Sequence, residues 1–280
     1  MKTFQTISGL RSALQPLRNE ELSIGFVPTM GALHQGHLEL MRRAKSENDI
    51  LVVSIFVNPI QFNNPEDLEK YPRLPELDAH LLETVDCDFL FAPTVEEMYP
   101  EPDHSNYDFG VLGQVMEGAF RPGHFNGVAI VVRKLFEITE PNRAYFGEKD
   151  FQQLAIIQQL VKMLQLSVEI VPCPIVRESD GLAMSSRNMR LAKEERSVAP
   201  KIHQILKKAA SLKNVLSPEE MRRYVWDKLS LEPAFSIDYV EVADDRMLQP
   251  VKHWNEVGGA VIFVALFLGQ VRLIDNQRIF

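Results

Sequence analysis

Two histidines three residues apart, His34 and His37, stand in the stretch Val27-Pro28-Thr29-Met30-Gly31-Ala32-Leu33-His34-Gln35-Gly36-His37. Imidazole nitrogens can ligate a metal, move a proton or donate a hydrogen bond to an anion. A zinc pair is one reading, but no third and fourth ligand follows at zinc-like spacing and neither cysteine is near in sequence, which weighs against it. The flanking residues favour an anion. Ile24 to Val27 is a short apolar run that reads as a buried strand, and Leu38, Leu40, Met41 and Ala44 then recur at helical spacing. Two glycines and a proline at the join permit a tight strand-to-helix turn and close approach of a ligand to the backbone. A helix starting there turns its free N–H groups and positive dipole end toward whatever sits above the strand, which suits phosphate.

Three other stretches carry residue types of the same kind. The run Ile50 to Val57 reads as a parallel strand covered on both faces, and it ends in Asn58-Pro59-Ile60-Gln61-Phe62. Carboxyl ends of such strands line the binding crevice of open α/β sheets, which makes Gln61 a candidate substrate contact and leaves Asn58 better explained as turn chemistry. Arg143-Ala144-Tyr145-Phe146 followed by Gly147-Glu148-Lys149-Asp150 repeats the order of strand, glycine, polar turn and helix. Lys149 there either projects beside phosphate or belongs to a solvated charge cluster. Ser185-Ser186-Arg187-Asn188 gathers two hydroxyls, a guanidinium and an amide, a set suited to phosphate oxygens.

The elements that must position these residues are legible from periodicity. A short helix over 8–18 precedes the first strand. A helix over 77–85, a strand over 86–91, an irregular excursion over 94–112, a loop over 117–125 with two basic groups, and an apolar helix over 128–138 follow the second. After the Gly147 turn come a helix over 151–164 and a strand over 167–171. Strands alternating with helices at this spacing predict a doubly wound parallel sheet, a Rossmann-like domain over residues 1–174. Pro172-Cys173-Pro174 breaks the pattern. Beyond it a turn at Ser179-Asp180-Gly181, two helices, the second opening with Ser217-Pro218-Glu219-Glu220, and strands over 235–242, 260–268 and 271–274 predict a smaller α+β domain over 175–280 with a mostly antiparallel sheet.

Composition narrows the function classes. The 280 residues are 45% hydrophobic and 24% charged, ordinary for a globular protein of one or two domains. A formal charge of −8 argues against a general nucleic-acid binder, so anionic ligands must meet a few placed lysines and arginines. The longest apolar run, Ala260 to Leu268, is too short to span a bilayer, and the first residues lack a signal-peptide core. Two cysteines give no disulfide framework, so the expectation is a cytoplasmic protein without a membrane partner.

A His-x-Gly-His turn after a strand resembles the signature of the nucleotidyltransferase superfamily, whose members form adenylates. Six blocks in order resemble the pantoate–β-alanine ligase (pantothenate synthetase) family across nearly the whole chain: Val27–His37, Val53–Phe62, Tyr71-Pro72-Arg73, Arg121-Pro122-Gly123-His124-Phe125, Phe146–Leu154 and Asp180–Asn188. The resemblance implies ATP as substrate with Mg²⁺, no tightly bound organic cofactor, a pantoyl-adenylate intermediate, and capture of that anhydride by β-alanine. It implies a homodimer whose partners are otherwise small molecules. On this resemblance Met30, Gly31, Ala32, Leu33, His34, Gln35, Gly36 and His37 hold ATP, with His37 the proton donor and His34 and Lys149 beside it in the reaction. Gly147, Glu148, Lys149 and Asp150 contact adenosine and phosphates, Val176 the adenine side, and Met184, Ser185, Ser186 and Arg187 the triphosphate, as a lid. Gln61 and Gln153 grip pantoate, Gln61 lying also beside β-alanine. Asn126 stands where the family commonly has arginine and Leu74 where it has threonine; both depart outside the core motifs. The competing expectations are another adenylylating member of the superfamily, an aminoacyl-tRNA synthetase relative, or a nucleotide-binding module without turnover.

Overall fold

The computed structural model describes residues 1–280. β1 (Lys2–Phe4), α1 (Ile7–Asn19), β2 (Ile24–Thr29), α2 (Gln35–Glu47) and β3 (Ile50–Ile55) come first along the chain. α3 (Pro65–Glu69), α4 (Pro75–Glu83), β4 (Phe89–Phe91), α5 (Val95–Met98), α6 (Met116–Phe120) and α7 (His124–Thr139) follow. Next are β5 (Arg143–Gly147), α8 (Phe151–Leu164) and β6 (Glu169–Cys173). The chain closes with α9 (Lys193–Val198), α10 (Lys201–Ala210), α11 (Pro218–Ser230), β7 (Phe235–Asp244), β8 (Ala260–Leu268) and β9 (Val271–Arg278).

These elements form two compact units: Met1–Phe109, Phe120–Glu148 and Ile156–Pro174 make the first, and Gly110–Ala119, Lys149–Ala155 and Ile175–Phe280 the second. A division at 174/175 is therefore only part of the partition. Two short earlier stretches group with the later residues, because Gln152 donates to the carbonyls of Leu112 and Val115 and Arg272 ion-pairs with Glu117. Lys149 thus shares a unit with Ser185–Arg187, where the sequence places the two on different domains.

In the first unit six parallel strands lie in the order β1-β4-β3-β2-β5-β6. Val27, Val53, Leu90 and Tyr145 of the strands bury one face against Leu38, Met41 and Ala44 of α2. On the other face Phe26 meets Phe136 of α7 edge-on, and Phe136 meets Phe146 the same way. The chain leaves β2 toward β3 and leaves β5 toward β6, in opposite directions along the sheet. Such a reversal opens a crevice above the carboxyl ends of the two strands. The histidine loop leaves one of those ends and Gly147-Glu148 closes the other.

In the second unit an antiparallel sheet, β7-β8-β9, packs its apolar side chains with Ile202, Leu206 and Ala209 of α10 and Met221, Val225 and Leu229 of α11. The expected capping box is formed: Ser217 Oγ accepts from Glu220 N and Glu220 Oε2 accepts from Ser217 N.

Several local expectations change. β1 has too few residues for a periodic signal and exists through pairing with β4. Pro172 and Cys173 belong to β6; proline is tolerated because β6 is an edge strand. The excursion over 94–112 contains α5, capped by Thr94. The loop over 117–125 shrinks to Arg121–Gly123 between α6 and α7. A third helix, α9, precedes the two expected.

Candidate active site

The histidine loop is built around two consecutive left-handed residues, Gly31 at φ 79° and Ala32 at φ 49°. Ala32 strains a conformation that glycine adopts freely, so something must hold it. Asp78, in the first turn of α4 and 1% exposed, supplies the restraint: Ala32 N donates to Oδ2 at 2.9 Å and Leu33 N to Oδ1 at 2.7 Å. A side chain at Gly31 would press on that carboxylate, which lies 3.0 Å from the position of a Cβ. Thr29 Oγ1 takes Gly31 N at 3.2 Å and donates to Ser54 O at 2.8 Å, tying the loop to β3.

The loop delivers two imidazoles in defined tautomers. Gly36 N donates to His34 Nδ1 at 3.1 Å, and His34 N donates to His37 Nδ1 at 3.3 Å. A ring nitrogen that accepts carries no proton, so each neutral ring has its N–H at Nε2. The rings stack with centroids 4.0 Å apart at the N-terminus of α2.

Gln61 is held from three directions. Its backbone carbonyl accepts from Nδ1 of His124, a ring only 6% exposed, at 2.8 Å. Gly127 lets the turn lie directly on α7, since a Cβ there would stand 2.4 Å from Ile60 O. Asn58 Nδ2 donates to Gln61 Oε1 at 3.1 Å, and Tyr99 Oη donates to Asn58 Oδ1 at 2.9 Å. Burial pushes the Tyr99 phenol up, so it stays a donor. With its oxygen taken, the Gln61 amide aims its NH₂ at Met30 Sδ, 3.0 Å away, a weak acceptor that a carboxylate or hydroxyl would outcompete.

In the second unit, Met184–Arg187 leaves a short hairpin in which Arg177 bridges Ala183 and Gly181 takes φ 98° at the turn. Asn188 Nδ2 pins the segment to Glu178 Oε1 and Ala183 O, at 3.2 and 3.0 Å. Arg196 clamps the hairpin from α9, 2.7 Å from both Glu178 and Asp180. Lys149 Nζ lies 3.8 Å from Asp150 Oδ1, and Gln153 is half-buried in the first turn of α8. No group of three or more His, Cys, Asp and Glu side chains is arranged to hold a metal ion.

The family profile described as Pantoate-beta-alanine ligase matches residues 2–278. The chain belongs to that family. Pantothenate synthetases from Porphyromonas gingivalis and Bacteroides fragilis are each 51% identical to it over 278 residues, covering 99% of both chains. A pantothenate synthetase structure from Thermus thermophilus superposes with a TM-score of 0.94 at 45% identity, covering 100% of each chain. A pantoate-β-alanine ligase structure from Francisella tularensis, complexed with β,γ-ATP and β-alanine, has a TM-score of 0.82 at 38% identity over 100% of this chain and 98% of that one.

Within the ligase fold, the first unit brings Gln61 against Met30, at the start of the histidine loop, and places Gly147-Glu148 at the end of the strand beside β2. The second unit holds Lys149, Asp150, Gln153, Val176 and Met184–Arg187. Three contributors escape sequence reasoning. Asp78 looks like an ordinary first-turn acid beside Glu76, and nothing local shows that it faces a loop 46 residues earlier. His124 reads as one of two basic groups in a loop and is a buried prop for Gln61. Asn58, explained as turn chemistry, orients the Gln61 amide.

Proposed function

We propose that the chain joins (R)-pantoate to β-alanine at the expense of ATP, through a pantoyl-adenylate. The observation that carries the mechanism is the stacked histidine pair, each ring accepting a backbone N–H at Nδ1 and so turning Nε2 to the ligand side. The pantoate carboxylate attacks the α-phosphorus, a P–O bond forms, and the bridging P–O bond to pyrophosphate breaks. His34 and His37 then present two neutral N–H donors to phosphoryl oxygens as charge develops, without the reorganisation that mobile donors would need. His37, assigned as proton donor on the family resemblance, serves here as a hydrogen-bond donor through Nε2–H. Lys149, Ser185, Ser186 and Arg187 take charge on the β- and γ-phosphates, with Met184, Gly147, Glu148 and Asp150 around the nucleotide and Val176 at adenine. MgATP is the substrate form, since magnesium is commonly carried by the phosphates with few protein ligands.

Gln61 and Gln153 bind pantoate. A neutral amide orients the carboxylate without the tight pairing that would blunt its nucleophilicity, and the outward NH₂ of Gln61 suits that part. In the second step the uncharged amine of β-alanine attacks the acyl carbon, a C–N bond forms, the C–O bond to AMP breaks, and the amine gives up one proton to solvent. No nucleophilic serine or cysteine is required. No helix is long and apolar enough to cross a membrane. The same reading takes the enzyme as a cytoplasmic homodimer acting on small molecules.

Pyrophosphate–ATP exchange tests the reading. Exchange should depend on pantoate, proceed without β-alanine, and fail with amino acids or with no acid. Exchange that ignores pantoate would sink it.

A further inference from the structure

β9 carries two buried polar residues side by side, Asp275 and Asn276, each 5% exposed. Buried polar groups must be bonded, and these lead to the two segments of the second unit that the proposed function assigns to phosphate. Asp275 takes the Arg177 guanidinium in a two-pronged ion pair, Nη1–Oδ2 2.7 Å and Nη2–Oδ1 3.0 Å. The same guanidinium donates to Gly181 O and Asn276 O, both at 3.2 Å, and so spans the hairpin turn at the root of Met184–Arg187. Asn276 Nδ2 donates to Lys149 O at 3.1 Å. Successive strand residues project to opposite faces, so one rigid strand can grip a different segment with each.

We propose that Asp275 and Asn276 are positioning residues that fix Lys149 relative to Ser185–Arg187, so that ammonium, hydroxyls and guanidinium meet one triphosphate in register. The proposal rests on the ATP-binding reading of those segments. Both grips end on backbone carbonyls at turns rather than on the apolar core of the sheet. A buried ion pair is weak evidence for stability, because an apolar replacement often serves as well, whereas holding register is the best-attested use of one.

The test is a double-mutant cycle read by ATP binding in calorimetry and by pyrophosphate exchange. Asn276→Ala should weaken ATP binding roughly five- to ten-fold, the size of one lost net hydrogen bond. The KM for pantoate should stay unchanged. Asn276→Asp, which sets a carboxylate against the Lys149 carbonyl, should be worse than alanine. In a Lys149→Ala background, Asn276→Ala should add less than about two-fold, because a residue acting through Lys149 has nothing left to position. Full additivity, or a pantoate KM that rises in step with the loss of ATP binding, would overturn the proposal while leaving the ATP site intact. Ordinary ATP binding by Lys149→Ala alone would instead remove Lys149 from that site, a failure of the functional reading itself.

Discussion

The loop Gly31–His34 with the first turn of α2, and the segment Val176–Arg187, are the two stretches that the proposed function sets around the nucleotide, and they are held in opposite ways. The first is gripped by a buried carboxylate, by Thr29 and by its own histidine nitrogens, all through backbone N–H groups. The second is gripped largely by side-chain ion pairs, some of them half-exposed, such as Arg196 with Glu178 and Asp180. Backbone donors caught by a desolvated acceptor have little room to move, whereas exposed pairs are screened and contribute little each. The first stretch is therefore built as a preorganised donor array, and the second, fixed at its root by the buried Arg177–Asp275 pair, as one whose outer residues can adjust to a bound nucleotide.

Breaking the array at its chemical end should have the gravest consequence. His37→Ala removes an Nε2–H donor and should slow pantoate-dependent pyrophosphate exchange on the order of 10²–10³-fold while pantoate binding changes little. Exchange near the unmodified rate would take His37 out of the mechanism.

An intermediate effect tests the clamp. Asp78→Asn keeps the shape but offers one oxygen to two N–H groups and turns its NH₂ against the other. We expect a loss of about 1–3 kcal/mol in denaturant unfolding, the cost of a buried unsatisfied donor, together with a raised KM for ATP. If stability and ATP use are both unaltered, the loop does not depend on this carboxylate.

The mildest outcome is expected on the other side. Arg196→Ala should cost no more than about 1 kcal/mol, since the pairs it breaks are partly exposed. The bond from Arg196 holds Asp180 below its ordinary carboxylate range. A depressed carboxylate contributes stability above its unfolded pKa and loses it as pH falls through the folded one, so the gap between the two proteins should close in acid. Saturating ATP should slow hydrogen exchange over residues 180–188 in the unmodified enzyme and leave 31–37 nearly unaffected, being protected already. Equal protection of both stretches by ATP would remove the distinction between them.

Much of this protein follows from its sequence alone. The continuous apolar run Ile50–Val57 marks a covered strand, the alternation over Phe235–Val242 marks a half-buried one, and Ser217-Pro218-Glu219-Glu220 writes its own helix start. These signals are local, set by the repeat of side chains along one element, and the histidine motif with its ordered companion blocks is local in the same sense. What the tertiary structure decided is who holds whom. Asp78 reaches Leu33 across 45 residues, Gln152 and Glu117 join a unit whose sheet begins at Phe235, and Pro172 survives in a strand because it lies at an edge. A carboxylate, an amide or an imidazole has the same local signature whether it faces water or a strained loop. Only packing, which removes water and leaves one partner within hydrogen-bond reach, distinguishes the two.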